Sequence, residues 1–152
     1  MQTFLPFDGF VISAKCLDTK RLGKQRVEVL QLLNALAIGP KQTYDTANGP
    51  RVRTTPWYNH PAARMWKGHE FVLIAYGVEI CLEWRRRGYN DTCLEKIISF
   101  SEEFKDHHTP PKWLGNDEFH ASHRSNLLRK NPDWYGQFDW SEPDNLEYVW
   151  PK

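Results

Sequence analysis

Two long stretches of this chain repeat their apolar residues at the spacing of an α-helix, and few folds other than a helical one satisfy both. Asp18 stands before the first as an N-cap. The helix it opens is predicted to run to about Ala37, with Leu22, Val29, Leu33 and Leu36 as its apolar stripe. The second opens at Asn59-His60-Pro61, with proline in the first turn, and runs to about Arg87. Met65, His69, Val72, Ala75, Tyr76 and Ile80 fall on one side of it, and Gly88 reads as its C-cap. Shorter helices are predicted from Asp8 to Cys16, from Asp91 to about Phe104, and from about Asn116 to Arg129. Between the two long helices, Gly39 to Pro56 is rich in Gly, Pro, Thr, Asn and Asp and has no periodicity. It reads as a long loop, mobile or functional, carrying Arg51 and Arg53. Nothing demands a sheet. The expectation is a compact all-α single domain spanning residues 1–152, with about five helices and an irregular aromatic C-terminal tail from Asp133 to Lys152.

A chain of 152 residues can bury a core without disulfides, and its three cysteines, Cys16, Cys81 and Cys93, form no Cys-x-x-Cys pair. Reduced thiols, no signal peptide, no membrane span and a cytoplasmic location are the expectations. The net charge of +1 is unlike that of a protein that coats DNA indiscriminately. The charges are nevertheless segregated. Lys15, Lys20, Arg21, Lys24 and Arg26 crowd one stretch against Asp18 alone, and Arg85–Arg87 and Arg124, Arg129 and Lys130 form further clusters. Such a surface can bind phosphate on one face, or can simply be a set of solvated helix faces.

Few chemical motifs survive inspection. His120 and His123 are three apart on one helix with Glu118 near, too few ligands for a zinc site. There is no Gly-x-Ser-x-Gly elbow and no phosphate-cradling glycine loop. No metal and no cofactor is expected. Glu28 differs in kind, because a carboxylate inside the most basic stretch opposes DNA binding unless it has a task. Two readings of it stand: a functional carboxylate, or a surface ion pair with Lys24, in the weaker Lys-then-Glu order.

The run Leu17-Asp18-Thr19-Lys20-Arg21-Leu22-Gly23-Lys24-Gln25-Arg26-Val27-Glu28, followed by an apolar helix, resembles the opening of the pyrimidine-dimer DNA glycosylase family, the phage-type dimer-specific endonucleases. His60-Pro61-Ala62-Ala63-Arg64-Met65-Trp66 resembles the start of that family's central helix, and Glu83-Trp84-Arg85-Arg86-Arg87-Gly88-Tyr89 its end. Asn131-Pro132-Asp133-Trp134-Tyr135 resembles its Pro-x-Trp-Tyr tail.

The resemblance implies an all-α DNA glycosylase with abasic-site lyase activity and no metal. Its N-terminal amine attacks C1′ of the damaged nucleotide, and the Schiff base that follows permits β-elimination and a strand nick. An α-amine has a pKa of roughly 8 against roughly 10.4 for lysine, so a useful fraction is neutral near pH 7. A bulky Gln2 should block removal of Met1, so the amine would be that of Met1, with Glu28 assisting. Arg21, Lys24, Arg26, His60, Arg64, Arg124, Trp134 and Tyr135 are the expected DNA-binding residues. His120, His123 and Asn126 are added as a polar pocket suited to a modified pyrimidine other than a dimer. The expected partner is double-stranded DNA carrying a damaged or modified base, and a monomer is expected. The competing readings are a non-catalytic nucleic-acid-binding module on the same fold and a metal-dependent hydrolytic nuclease.

Overall fold

The computed structural model describes residues 1–151; Lys152, the end of the expected tail, lies outside them. Helix α1 is Phe10–Cys16 and α2 is Thr19–Ile38. A hairpin of β1 (Lys41–Thr46) and β2 (Gly49–Thr54) follows, then α3 (Pro61–Arg64), α4 (Glu70–Arg86), α5 (Leu94–Ile98), α6 (Asp117–Lys130) and α7 (Pro132–Tyr135). The fold is mostly helical but not all-α. The segment expected to be a loop pairs as an antiparallel ribbon closed by Ala47-Asn48. Its pattern was illegible because neither face meets the core: every residue of β1 is exposed, so no apolar–polar alternation marks it.

The expected central helix is two helices. Gly68 takes φ +86° between them, a left-handed conformation that an L side chain resists. That break resets the helical phase. Ala75, assigned to the inner face by counting from Met65, is exposed, and Leu73, Ile74, Tyr76, Gly77 and Ile80 face inward. The helix expected from Asp91 to Phe104 keeps only α5, continuing as turns.

The core lies where α2 crosses α4, with α1 and α5 beside them. The axes approach closely because Gly77 presents no side chain: a Cβ there would sit 2.7 Å from Cγ1 of Val29. Trp66, Tyr76 and Tyr135 are the largest fully buried side chains. The three cysteines are free and buried, and burial raises the Cys16 thiol to about 11 and that of Cys81 to about 12. Among the described residues, no helix is long and apolar enough to cross a membrane.

Candidate active site

The first seven residues belong to no helix and no strand, and the chain bends at Pro6 and Phe7. Their backbone groups need partners in the interior, and polar side chains from four helical segments supply them. Leu5 gives its N–H to Nδ1 of His123 (2.9 Å) and receives Nδ1–H of His120 at its carbonyl (2.8 Å). The i, i+3 histidine pair of α6 thus grips both polar groups of one residue. The bond from the Gly115 amide to Nε2 of His120 (2.9 Å) fixes the latter's tautomer. Burial holds His120 below the ordinary histidine range and drives His123 down to about 3, aided in His123 by His120 beside it, so both rings are neutral at physiological pH. Trp66 donates to the Thr3 hydroxyl (3.0 Å), and Arg124 to the Pro6 carbonyl (2.6 Å).

Gln25 completes the anchorage. Its carboxamide oxygen accepts the Phe4 N–H (3.0 Å), and its NH2 donates to the Gln2 carbonyl (2.7 Å) and to Oε2 of Glu28 (2.8 Å). The Tyr76 hydroxyl lies 2.7 Å from both Oε1 of Gln25 and the Phe4 carbonyl, so its one hydrogen serves either acceptor. Burial, then the charge of Glu28, raises the Tyr76 phenol well above its ordinary range and keeps it protonated.

This anchorage brings Met1 to the wall of a cleft of about 300 Å³ that Glu28 also lines, together with Gln2, Phe4, Gln25 and Tyr148 and a rim of Lys20, Arg21, Lys24 and Lys130. Glu28 is 8% exposed, so it is no surface residue. Lys24 approaches its Oε1 at 3.8 Å but is 72% exposed, which makes that ion pair weak. Burial, then the charges of Arg21, Arg129 and Lys24, lowers the Lys130 ammonium. Burial raises the Tyr148 phenol to about 12.

The sequence-predicted residues divide sharply. Met1, Glu28, Arg21 and Lys24 come together in the cleft. His60 does not line it: the ring caps α3 by accepting the Ala62 N–H (3.0 Å), and its pKa is lowered by burial and then by the N-terminal ammonium charge. Arg64 lines a larger neighbouring cleft of about 660 Å³ with Tyr58, Lys67 and Trp150. Arg26 lies elsewhere, because a residue two positions from Glu28 points to the far side of α2. It binds Asp91 (2.6 Å) and covers the Trp84 ring at 4.5 Å. Arg124 is taken up by Glu142 and the Pro6 carbonyl.

His120, His123 and Asn126 are buried and engaged with backbone groups; Asn126 donates to the carbonyls of Ser122 (2.8 Å) and Leu146 (3.0 Å), tying down the tail. Tyr135 is wholly buried, its hydroxyl 2.5 Å from Oδ1 of Asp18, and Trp134 donates to the Cys16 carbonyl (2.7 Å). Asp18 does stand at the N-cap of α2, but its carboxylate serves Tyr135 and Arg21 rather than the helix amides. Sequence reasoning placed Lys20 and Lys130 in basic clusters without assigning them to the site, and it missed Gln2, Gln25 and Tyr148. Gln25 had a signal, lying three residues before Glu28 on the same face.

The pyrimidine dimer DNA glycosylase family matches residues 1–96, more than half of the chain. The chain belongs to that family. No curated protein and no solved structure matches it. The match takes in Met1, Glu28 and the hairpin, whereas the α6 histidines and the Trp134-Tyr135 tail lie beyond it. Membership in the pyrimidine dimer DNA glycosylase family makes this a DNA-repair glycosylase by family, with DNA as its substrate class.

Proposed function

We propose that the chain is a DNA glycosylase with abasic-site lyase activity on duplex DNA carrying a damaged or modified pyrimidine, and that it works without a metal. The α-amine of Met1 attacks C1′; the glycosidic bond breaks and the base leaves, taking up a proton. The amine and C1′ form a Schiff base as the sugar ring opens. Loss of a C2′ proton then expels the 3′ phosphate and nicks the strand, and hydrolysis frees the amine. Glu28 stabilises the positive charge that develops on the sugar and carries protons afterwards. The rim lysines hold phosphates.

The observation that carries this reading is that an anchored N-terminus and a buried carboxylate line one basic cleft, bridged by Gln25. Proximity of this kind is worth several kcal/mol when the amine reaches within about 3.5 Å of C1′.

Borohydride trapping on an abasic duplex tests it. Wild type is expected to form a covalent adduct at Met1. Glu28→Gln is expected to lose strand cleavage while binding DNA as well or better, since one negative charge leaves a phosphate-binding cleft. A tag left before Met1, or reductive methylation of the amine, is expected to abolish trapping without unfolding. An adduct on a lysine side chain with Met1 unmodified, or wild-type cleavage by Glu28→Gln, refutes the mechanism.

A further inference from the structure

The cleft does not use the hairpin, and the hairpin is unusual in what it leaves undone. Apart from pairing with each other, β1 and β2 make little contact with any other element among the described residues. A lone two-stranded ribbon is at best marginally stable in water, so one that contributes nothing to a core is fit for an external surface. The register places Gln42 opposite Arg53 and Tyr44 opposite Arg51. Directly opposed residues share a face, so one face carries two arginines, a tyrosine and a glutamine, all exposed. Gln42, Tyr44 and Arg53 already converge on a shallow depression. The ribbon holds Lys41, Arg51 and Arg53 against Asp45 alone, a surplus of positive charge.

The ribbon is continuous with the cleft. Its root is clasped where the Thr55 hydroxyl donates to the Gly39 carbonyl (2.5 Å), and five residues later the chain reaches His60, which caps α3. From the cleft, Tyr148 packs on Trp150 at 5.7 Å, and Trp150 meets the His60 ring at 6.0 Å and lines the larger cleft with Arg64 and Lys67. The ten residues from Glu28 to Ile38 span about 15 Å along α2 and each six-residue strand is roughly 20 Å long, which limits the arm's reach from Glu28 to about 35 Å. A two-stranded ribbon fits the major groove, which is about 12 Å wide.

We propose that the hairpin is a duplex-gripping arm. Its Arg51/Arg53/Tyr44 face engages the groove and phosphates of intact DNA about 5–10 base pairs from the lesion. The proposal rests on the glycosylase reading for its DNA partner, but its test does not depend on the chemistry.

The experiment is fluorescence anisotropy with a duplex of about 30 base pairs bearing a central tetrahydrofuran abasic analogue, titrated at several salt concentrations. Arg51→Ala/Arg53→Ala is expected to bind several-fold more weakly and to lower the log–log salt slope by about 2. Arg51→Lys/Arg53→Lys should keep the wild-type slope, and Thr43→Ala, on the opposite face, should change nothing. Shortening one flank to about 3 base pairs should give wild type the alanine variant's slope and leave that variant unaffected. An alanine variant with the wild-type slope on the long duplex overturns the proposal. So does one whose only change is oligomeric state on size exclusion, which would make the hairpin a contact between copies. Trapping by wild type reads the chemistry separately. Trapping with a hairpin-independent slope refutes the arm alone, whereas a hairpin-dependent slope without trapping refutes the amine mechanism alone.

Discussion

Replacing Gln25 by methionine keeps the side-chain volume and removes every hydrogen bond through which Gln25 joins the N-terminal segment to Glu28. Three groups lose a partner: the Phe4 N–H, the Gln2 carbonyl and Oε2 of Glu28. The Tyr76 hydroxyl is spared, because it can turn its hydrogen to the Phe4 carbonyl. The Phe4 amide is buried and stays unsatisfied, at a cost of about 1–3 kcal/mol. Gln2 and Glu28 line the cleft and can take water instead, so each loses only about 0.5–1.5 kcal/mol. The sum is about 4 kcal/mol, or a fall of roughly 8–16 °C in Tm for a chain this size. The larger effect falls on chemistry. Slack of about 1 Å at Met1 can lower the rate about 100-fold, read as single-turnover borohydride trapping at a temperature where the variant is folded. Calorimetry and trapping together decide the matter. A variant melting within about 2 °C of wild type and trapping within about twofold would show that Gln25 does not position the amine.

Acid should loosen the same anchorage through His123. Its pKa is about 3 when folded against about 6.5 when unfolded, so its contribution is complete above pH 6.5 and lost as pH falls towards 3. The loss is about 2 kcal/mol at pH 5, and thermal melts of wild type and His123→Gln should converge there; parallel melting curves from pH 7.5 to 5 would contradict it. DNA affinity should depend on the exposed rim and not on the engaged arginines. Lys20→Ala/Lys24→Ala/Lys130→Ala should lower the log–log salt slope by about 3, whereas Arg26→Ala and Arg124→Ala should lower Tm and leave the slope alone. A slope that follows Arg26 would mean that its bond to Asp91 opens on DNA.

Periodicity read α1 and α2 directly from the chain, because an amphipathic helix writes its buried face into every third or fourth residue. It also singled out Glu28, since a carboxylate among Lys20, Arg21, Lys24 and Arg26 conflicts with local charge. Local pattern could not read the hairpin, whose two faces both meet solvent, nor the break at Gly68, which resets the phase within an apolar run. The division among the basic and polar residues was decided only in three dimensions. Arg26 has the same local credentials as Lys24, yet Asp91, 65 residues away, takes it out of the cleft. His120, His123 and Asn126 look like a binding motif, and they are spent on the Leu5 backbone and the tail. Trp134 and Tyr135 are likewise consumed, by the Cys16 carbonyl and by Asp18. A polar side chain serves as a site or as scaffold according to whether a buried backbone group competes for it, and that competitor is usually distant in the chain. The sequence alone therefore determines where the long helix α2 forms and which residues carry charge; the tertiary structure decides which of those charges remain free to meet DNA.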